Sequence, residues 1–167
     1  VAAGSAKTLP LSGGGEPYSF TVDGREVEPA GGAFIVTPGY FEALGVPLVA
    51  GRTFDQHDQP AEPVALVVNR ALARQLWPRG EAVGRAVLFG KSRFQVIGVV
   101  GDVRNDGLAV PAAPAIYVPM NVFSRSTMKI LVRTSGSDPL RWAVPVERTI
   151  HEVDREQPIS DVAALPQ

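Results

Sequence analysis

The chain has 167 residues, 45% of them apolar and 20% charged, with a net charge of −1 and no cysteine. That size and composition suit one domain or two small lobes around a buried core. The near-zero charge, with Lys and Arg scattered and no basic run, removes the long-range field that draws proteins to nucleic acid. Without cysteine there is no disulfide, zinc–thiolate site or Cys nucleophile, and no apolar run approaches the roughly 20 residues that cross a bilayer. No signal peptide is visible, and the start at Val1 without Met reads as a segment of something longer. The 17 Gly and 15 Pro imply short elements and many turns.

A short strand is expected over residues 2–9, then a Gly-rich loop at Ser12–Glu16. Tyr18, Phe20 and Val22 alternate with polar neighbours, the period of a half-buried strand. A strand at Ala33–Thr37 leads into a short helix, with Thr37 as N-cap, Pro38 at the first position and Gly45 ending it. Val64–Val68 reads as a strand. Asn69 caps a helix to about Trp77, stopped by Pro78, with Leu72 and Leu76 making its buried stripe. Ala86–Phe89 and Phe94–Val100 read as a hairpin around Gly90–Lys91–Ser92. "AIYVP" is a further strand, and "TMKILVRTSG" alternates Met128, Ile130 and Val132. The last helix opens at Asp138–Pro139 and places Trp142, Ala143, Val146, Ile150 and Val153 on one face. Pro145 inside it predicts a kink. "PISDVAALPQ" reads as a final strand. Strands and helices mix without a strict βαβ rhythm, so the expected class is α+β.

Each chemical motif fails on spacing. A Walker A loop needs Gly at its first position, but counting back from Gly90–Lys91–Ser92 gives Arg85, with Gly84 one residue too far. A strand follows where the motif needs a helix N-terminus. In "FQVIGVVGDVRNDG", Gly98, Gly101 and Gly107 miss the dinucleotide fingerprint. Asp102, Asn105 and Asp106 lack the alternating ligands and distant Glu of a calcium loop, which leaves a polar turn. Asp55, His57 and Asp58 in "FDQHD" could be half a metal site or a general base. The other histidine, His151, lies toward the polar side of the last helix. No G-x-S-x-G, H-E-x-x-H or S-x-x-K occurs. The expectation is a non-enzyme with no catalytic, cofactor or metal residues. A hydrolase using His57 and Asp58 is the rival. Trp77 and Trp142 read as core residues, and Phe123 is a candidate for either packing or partner contact.

Several stretches, in order, resemble one family. "VTPGYFEALGVPLVAGRTF" carries Pro38, Tyr40, Phe41, Leu44, Gly45, Pro47, Leu48, Gly51, Arg52 and Phe54. "VVNRALARQLWPRGEAVGRAV" carries Asn69, Ala73, Trp77, Pro78, Val83, Gly84 and Arg85. "FQVIGVVGDVRNDGL", "AIYVPM" and "ILVRTSGSDP" follow. Together they resemble the periplasmic core domain of MacB-like ABC transporter permeases (the FtsX-like or MacB-type permease family) over about residues 30–165.

The resemblance implies a two-lobed mixed α/β domain: a porter-like lobe from residues 1–35 and 125–167, and a central mixed lobe over 36–124. It implies a periplasmic position on a protein of the inner membrane, between membrane helices. ATP would be hydrolysed by a separate ATPase domain or subunit, in keeping with the missing Walker A loop. Expected partners are that ATPase, through the membrane helices, a second permease copy and a periplasmic adaptor. The expected role is to transmit ATP-driven conformational change to export or envelope partners. A free-standing periplasmic binding or adaptor module is the alternative.

Overall fold

The computed structural model describes residues 1–10, 15–28, 31–58, 60–105, 110–122, 127–136 and 138–165. In chain order the elements are β1 (Ala2–Ala6), β2 (Phe20–Val22), β3 (Arg25–Val27), β4 (Ala33–Val36), α1 (Tyr40–Leu44) and β5 (Leu48–Gly51). Then come β6 (Val64–Asn69), α2 (Arg70–Leu76), β7 (Ala86–Phe89), β8 (Ser92–Val100), β9 (Ile116–Pro119), β10 (Lys129–Arg133) and α3 (Ala143–Val153). The ten strands form one mixed sheet in the order β10-β1-β4-β9-β6-β8-β7-β2-β3, with β5 beside β8. β4–β9 and β6–β8 pair in parallel, and β6 and β9 join these pairs antiparallel. Strands and helices are combined as the α+β reading expected.

β4, β6 and β9 are buried along their whole length. A strand covered on both faces needs apolar side chains at odd and even positions alike. "AFIV", "VALVV" and "IYV" meet that condition. Their alternate residues feed two cores on opposite faces of the sheet. Ala33, Ile35, Leu66, Val68, Ile116 and Val118 pack with Leu72 and Trp77 from α2 and its end. Phe34, Val36, Val67 and Tyr117 pack with Tyr40, Phe41 and Phe54 around α1. Tyr117 sits at the centre of this second core, its ring 4.9 Å from Phe41 and 5.6 Å from Phe34. Burial raises the pKa of both Tyr40 and Tyr117, so both phenols stay neutral.

The expected lobe boundary after residue 35 falls inside β4, which pairs with β1 on one side and β9 on the other. The boundary at 124–125, the loop at 12–14, Asp106, Gly107 and Phe123 lie outside the described residues.

Several local expectations are corrected. Thr37 does not cap α1. Its hydroxyl accepts from the Ser5 backbone N–H at 2.7 Å, tying β4 to β1, and Gly39 stands at the cap instead. Gly45 does end α1, in the left-handed region. β3 and β5 were not expected. β2 and β3 form a hairpin around Asp23–Gly24, both with positive φ, which is the two-residue turn that Asp-Gly favours. The β7–β8 turn is Gly90–Lys91 alone, since Phe89 pairs with Ser92.

On β10 the buried residue is Leu131, while Ile130 is 54% exposed, because β10 is an edge strand covered mainly on the α1 side. Pro145 forces no kink. A 3-10 turn occupies Pro139–Trp142, so Pro145 falls in the first turn of α3, where backbone N–H groups have no intrahelical partner. Trp142 is exposed, with the Arg141 guanidinium 5.5 Å from its ring centre. No residue of α3 is fully buried, and the expected final strand is absent among the described residues up to 165.

Candidate functional site

The family-like stretches meet where β5 crosses β8. β8 bulges at Ile97, skipping a register position against β6. The Ile97 carbonyl turns outward and accepts from the Arg52 N–H at 3.0 Å. A Cβ on Gly98 would lie 2.0 Å from the Arg52 carbonyl oxygen, so the two chains approach this closely only if Gly98 has no side chain. Gly51 meets the same contact from the β5 strand: its φ is +71°, and its Cβ would lie 2.2 Å from the Ile97 oxygen. The glycines of "VAGRTF" and "VIGVVGDV" are therefore explained by backbone contact with each other.

The segment leaving the crossing is held by an ion pair. Arg52 binds Asp58 through two nitrogens, at 2.8 and 2.6 Å. The Asp58 side chain is buried while that of Arg52 is half exposed. Asp58 also accepts from the Asp55 N–H at 2.8 Å, and its backbone carbonyl accepts from the Asn121 amide just past β9. The hydrogen bonds from Arg52 hold the Asp58 carboxyl below the usual carboxylate range, against the opposing effect of burial. Asp55 accepts from the His57 N–H at 2.7 Å, closing a local turn.

This geometry bears on the hydrolase reading. Both Asp58 oxygens are taken by Arg52, so Asp58 is not oriented to assist His57, which is exposed beside Gln56. His151 lies on α3, with its ring nitrogen 3.1 Å from the Gln157 carbonyl. Among the described residues, no group of three or more His, Asp or Glu is placed to hold a metal.

Just beyond the same end of β8, Asp102 accepts from the Ala71 N–H at 2.8 Å, and Asn69 accepts from the Leu72 N–H at 3.0 Å. Two acceptors thus fill the start of α2, where an anion would otherwise be drawn. Asn69 is fully buried. It also accepts from the Ala115 N–H and donates to the Ala113 carbonyl, which stitches α2 to the start of β9. Asn69 was legible as an N-cap. The Asp102 cap and the Arg52–Asp58 clamp were not, since the first joins a loop to a helix 31 positions away and the second joins two loop residues 6 positions apart. Asn105 is buried, and its Oδ1 has no partner among the described residues. Gly90–Lys91 is an exposed hairpin turn, not a phosphate loop.

Comparisons with known proteins agree with this picture. Residues 6–141 match the model of the MacB-like periplasmic core domain. The chain is 32% identical over 124 residues to the macrolide export ATP-binding/permease protein MacB 1/2 of Paracoccus denitrificans, covering 74% of this chain and 17% of that protein. It is 28% identical over 101 residues to the MacB of Neisseria gonorrhoeae, covering 60% of this chain and 15% of that one. The chain thus spans about a sixth of the length of these relatives.

Among solved structures, the periplasmic region of MacB from Actinobacillus actinomycetemcomitans superposes with a TM-score of 0.64 at 15% identity, over 90% of this chain and 66% of that one. The extracellular domain of the ABC-type transporter YknZ from Gram-positive bacteria gives 0.58 at 17%, over 90% and 76%. In the 167 residues, no helix among those described is long and apolar enough to cross a membrane. From residue 6 to residue 141, this chain belongs to the MacB-like periplasmic core domain family.

Proposed function

We propose that this chain is the extracytoplasmic domain of an ABC transporter permease of the inner membrane. It relays ATP-driven motion of the membrane part to export or envelope partners, and it carries no catalytic, cofactor or metal residue of its own. The observation that supports this most is the family match over residues 6–141. The sheet suits the role. Strands from the beginning, middle and end of the chain share one hydrogen-bonded network packed on both faces, and such interiors transmit strain with little compression. The ATPase, a second permease copy and a periplasmic adaptor are the proposed partners. The proposed lobes, residues 1–35 with 125–167 and residues 36–124, would move as parts of this relay.

The alternative, a free-standing binding module, calls for a pocket of about 300–1,000 Å³. The cavity between Tyr18 and the strands β4, β7, β8 and β9 holds about 10 Å³ and is lined by Tyr18, Ala33, Phe89, Phe94, Ile116 and Val118. The relay is tested by a spin label at Lys91→Cys in the full-length transporter. Distances between copies should shift when ATP binds. Distances that stay fixed through the ATP cycle would sink the relay.

A further inference from the structure

We propose that the outer face of α2 and the turn after it dock an acidic segment of a partner protein. The proposal rests on the permease reading above, which requires envelope partners. In sequence the basic residues look scattered, yet six of the 16 Lys and Arg lie in residues 70–93, against one of the 17 acids, Glu81. Four of the six lie on α2 and in the segment that follows it. Leu72 is fully buried under α2, and Arg70 and Arg74, two positions either side, project from the opposite face as an i,i+4 pair. Arg79 is exposed in the turn that follows. Arg85 folds back over that turn: its Nε donates to the Glu81 carbonyl at 3.2 Å, and its NH2 lies 3.3 Å from where a Gly80 Cβ would sit.

Among the described residues, the ion pairs join Lys7 to Glu16 and Arg52 to Asp55 and Asp58, so these four arginines have no carboxylate partner. The carboxylate at the start of α2, Asp102, is tied to the Ala71 N–H.

All four are Arg, whose planar fork grips a carboxylate through two parallel hydrogen bonds. Arg is also enriched where proteins meet. The charge therefore complements Asp- and Glu-bearing chain. A lipid surface fits less well. Interfacial helices insert an exposed aromatic or leucine anchor, whereas Leu72 and Trp77 here point into the core.

The test uses the 167-residue chain and a fluorescent twelve-residue peptide of alternating Glu and Ser, with binding followed by anisotropy. Arg70→Gln/Arg74→Gln/Arg79→Gln is compared with Arg25→Gln/Arg148→Gln/Arg155→Gln, which removes the same charge elsewhere on exposed positions. The first variant should weaken binding about tenfold and the second less than about twofold, given roughly 0.5 kcal/mol per exposed pair. Both should melt like the parent chain. Equal losses in the two variants would overturn the proposal by assigning binding to net charge alone. Binding to phosphatidylglycerol vesicles without binding to the peptide would also overturn it. Either failure leaves the family match over residues 6–141 untouched.

Discussion

The strands β4, β6, β8 and β9 and the segment 138–165 are built from similar side chains and behave oppositely. Val67, Val68 and Val100 in the sheet are at most 1% exposed, while Val144 and Val153 in α3 are 62% and 88% exposed. Valine content does not decide burial. What decides it is whether neighbours on both faces exist to exclude water. The sheet strands each have paired strands on two edges and a helix or loop on both faces. α3 follows β10, the edge strand of the sheet, and contributes to neither core. Stability should therefore be concentrated in the sheet and be nearly indifferent to α3.

The largest expected effect is at the β5–β8 crossing. Gly98→Ala places a methyl 2.0 Å from the Arg52 carbonyl oxygen. Two backbones must part, and urea unfolding should show a loss of about 3 kcal/mol. A loss under about 1 kcal/mol would mean that the crossing is looser than described.

Asp58→Asn should cost about 1–2 kcal/mol, because it leaves the Arg52 pair uncharged on one side and its carboxylate hydrogen bonds weakened. The half exposure of Arg52 keeps this below the cost of breaking a fully buried pair. The pH dependence has a fixed sign. The folded pKa of Asp58 is lowered, so its contribution is complete above the ordinary carboxylate pKa of about 3.9. That contribution fades as pH falls toward the lower folded value. The stability gap between parent and variant should be flat from about pH 5 to 8 and close below about pH 4. A gap that widened in acid would contradict the assignment.

Ile150→Ser should be the smallest effect, under about 0.5 kcal/mol, since Ile150 is only half buried on a helix without a buried residue. A cost comparable to Gly98→Ala would erase the contrast between the two regions.

The same contrast sets what was legible in the sequence. Elements whose signals are local were readable: "AFIV", "VALVV" and "IYV" as strands, Asn69 as a cap, Gly45 as a stop. Features that depend on a distant chain were not. The amphipathic pattern of α3 announces a face to be covered, and no periodicity tells whether anything covers it. β5 is four exposed residues whose strand form depends on pairing with β8. Thr37 has the chemistry of a cap, but Ser5 on β1 takes its hydroxyl. The Arg52–Asp58 clamp starts inside a family-like motif, but no spacing rule pairs an Arg with an Asp six residues on in a loop. The motifs that carried the resemblance are fold determinants. Gly51 and Gly98 permit a crossing, and Asp102 caps α2.

The central claim is that this sheet stands outside the cytoplasmic membrane as part of a permease. The 167 residues contain no cysteine, so once any cysteine elsewhere in the full-length protein is replaced, Lys91→Cys at the exposed β7–β8 turn gives a specific handle. In cells expressing the full-length protein, with the outer membrane permeabilised, a membrane-impermeant maleimide should label that position while the inner membrane is intact. The labelled protein should fractionate with the inner membrane. Labelling that appears only after the inner membrane is broken, or a protein that fractionates as soluble, would contradict the account.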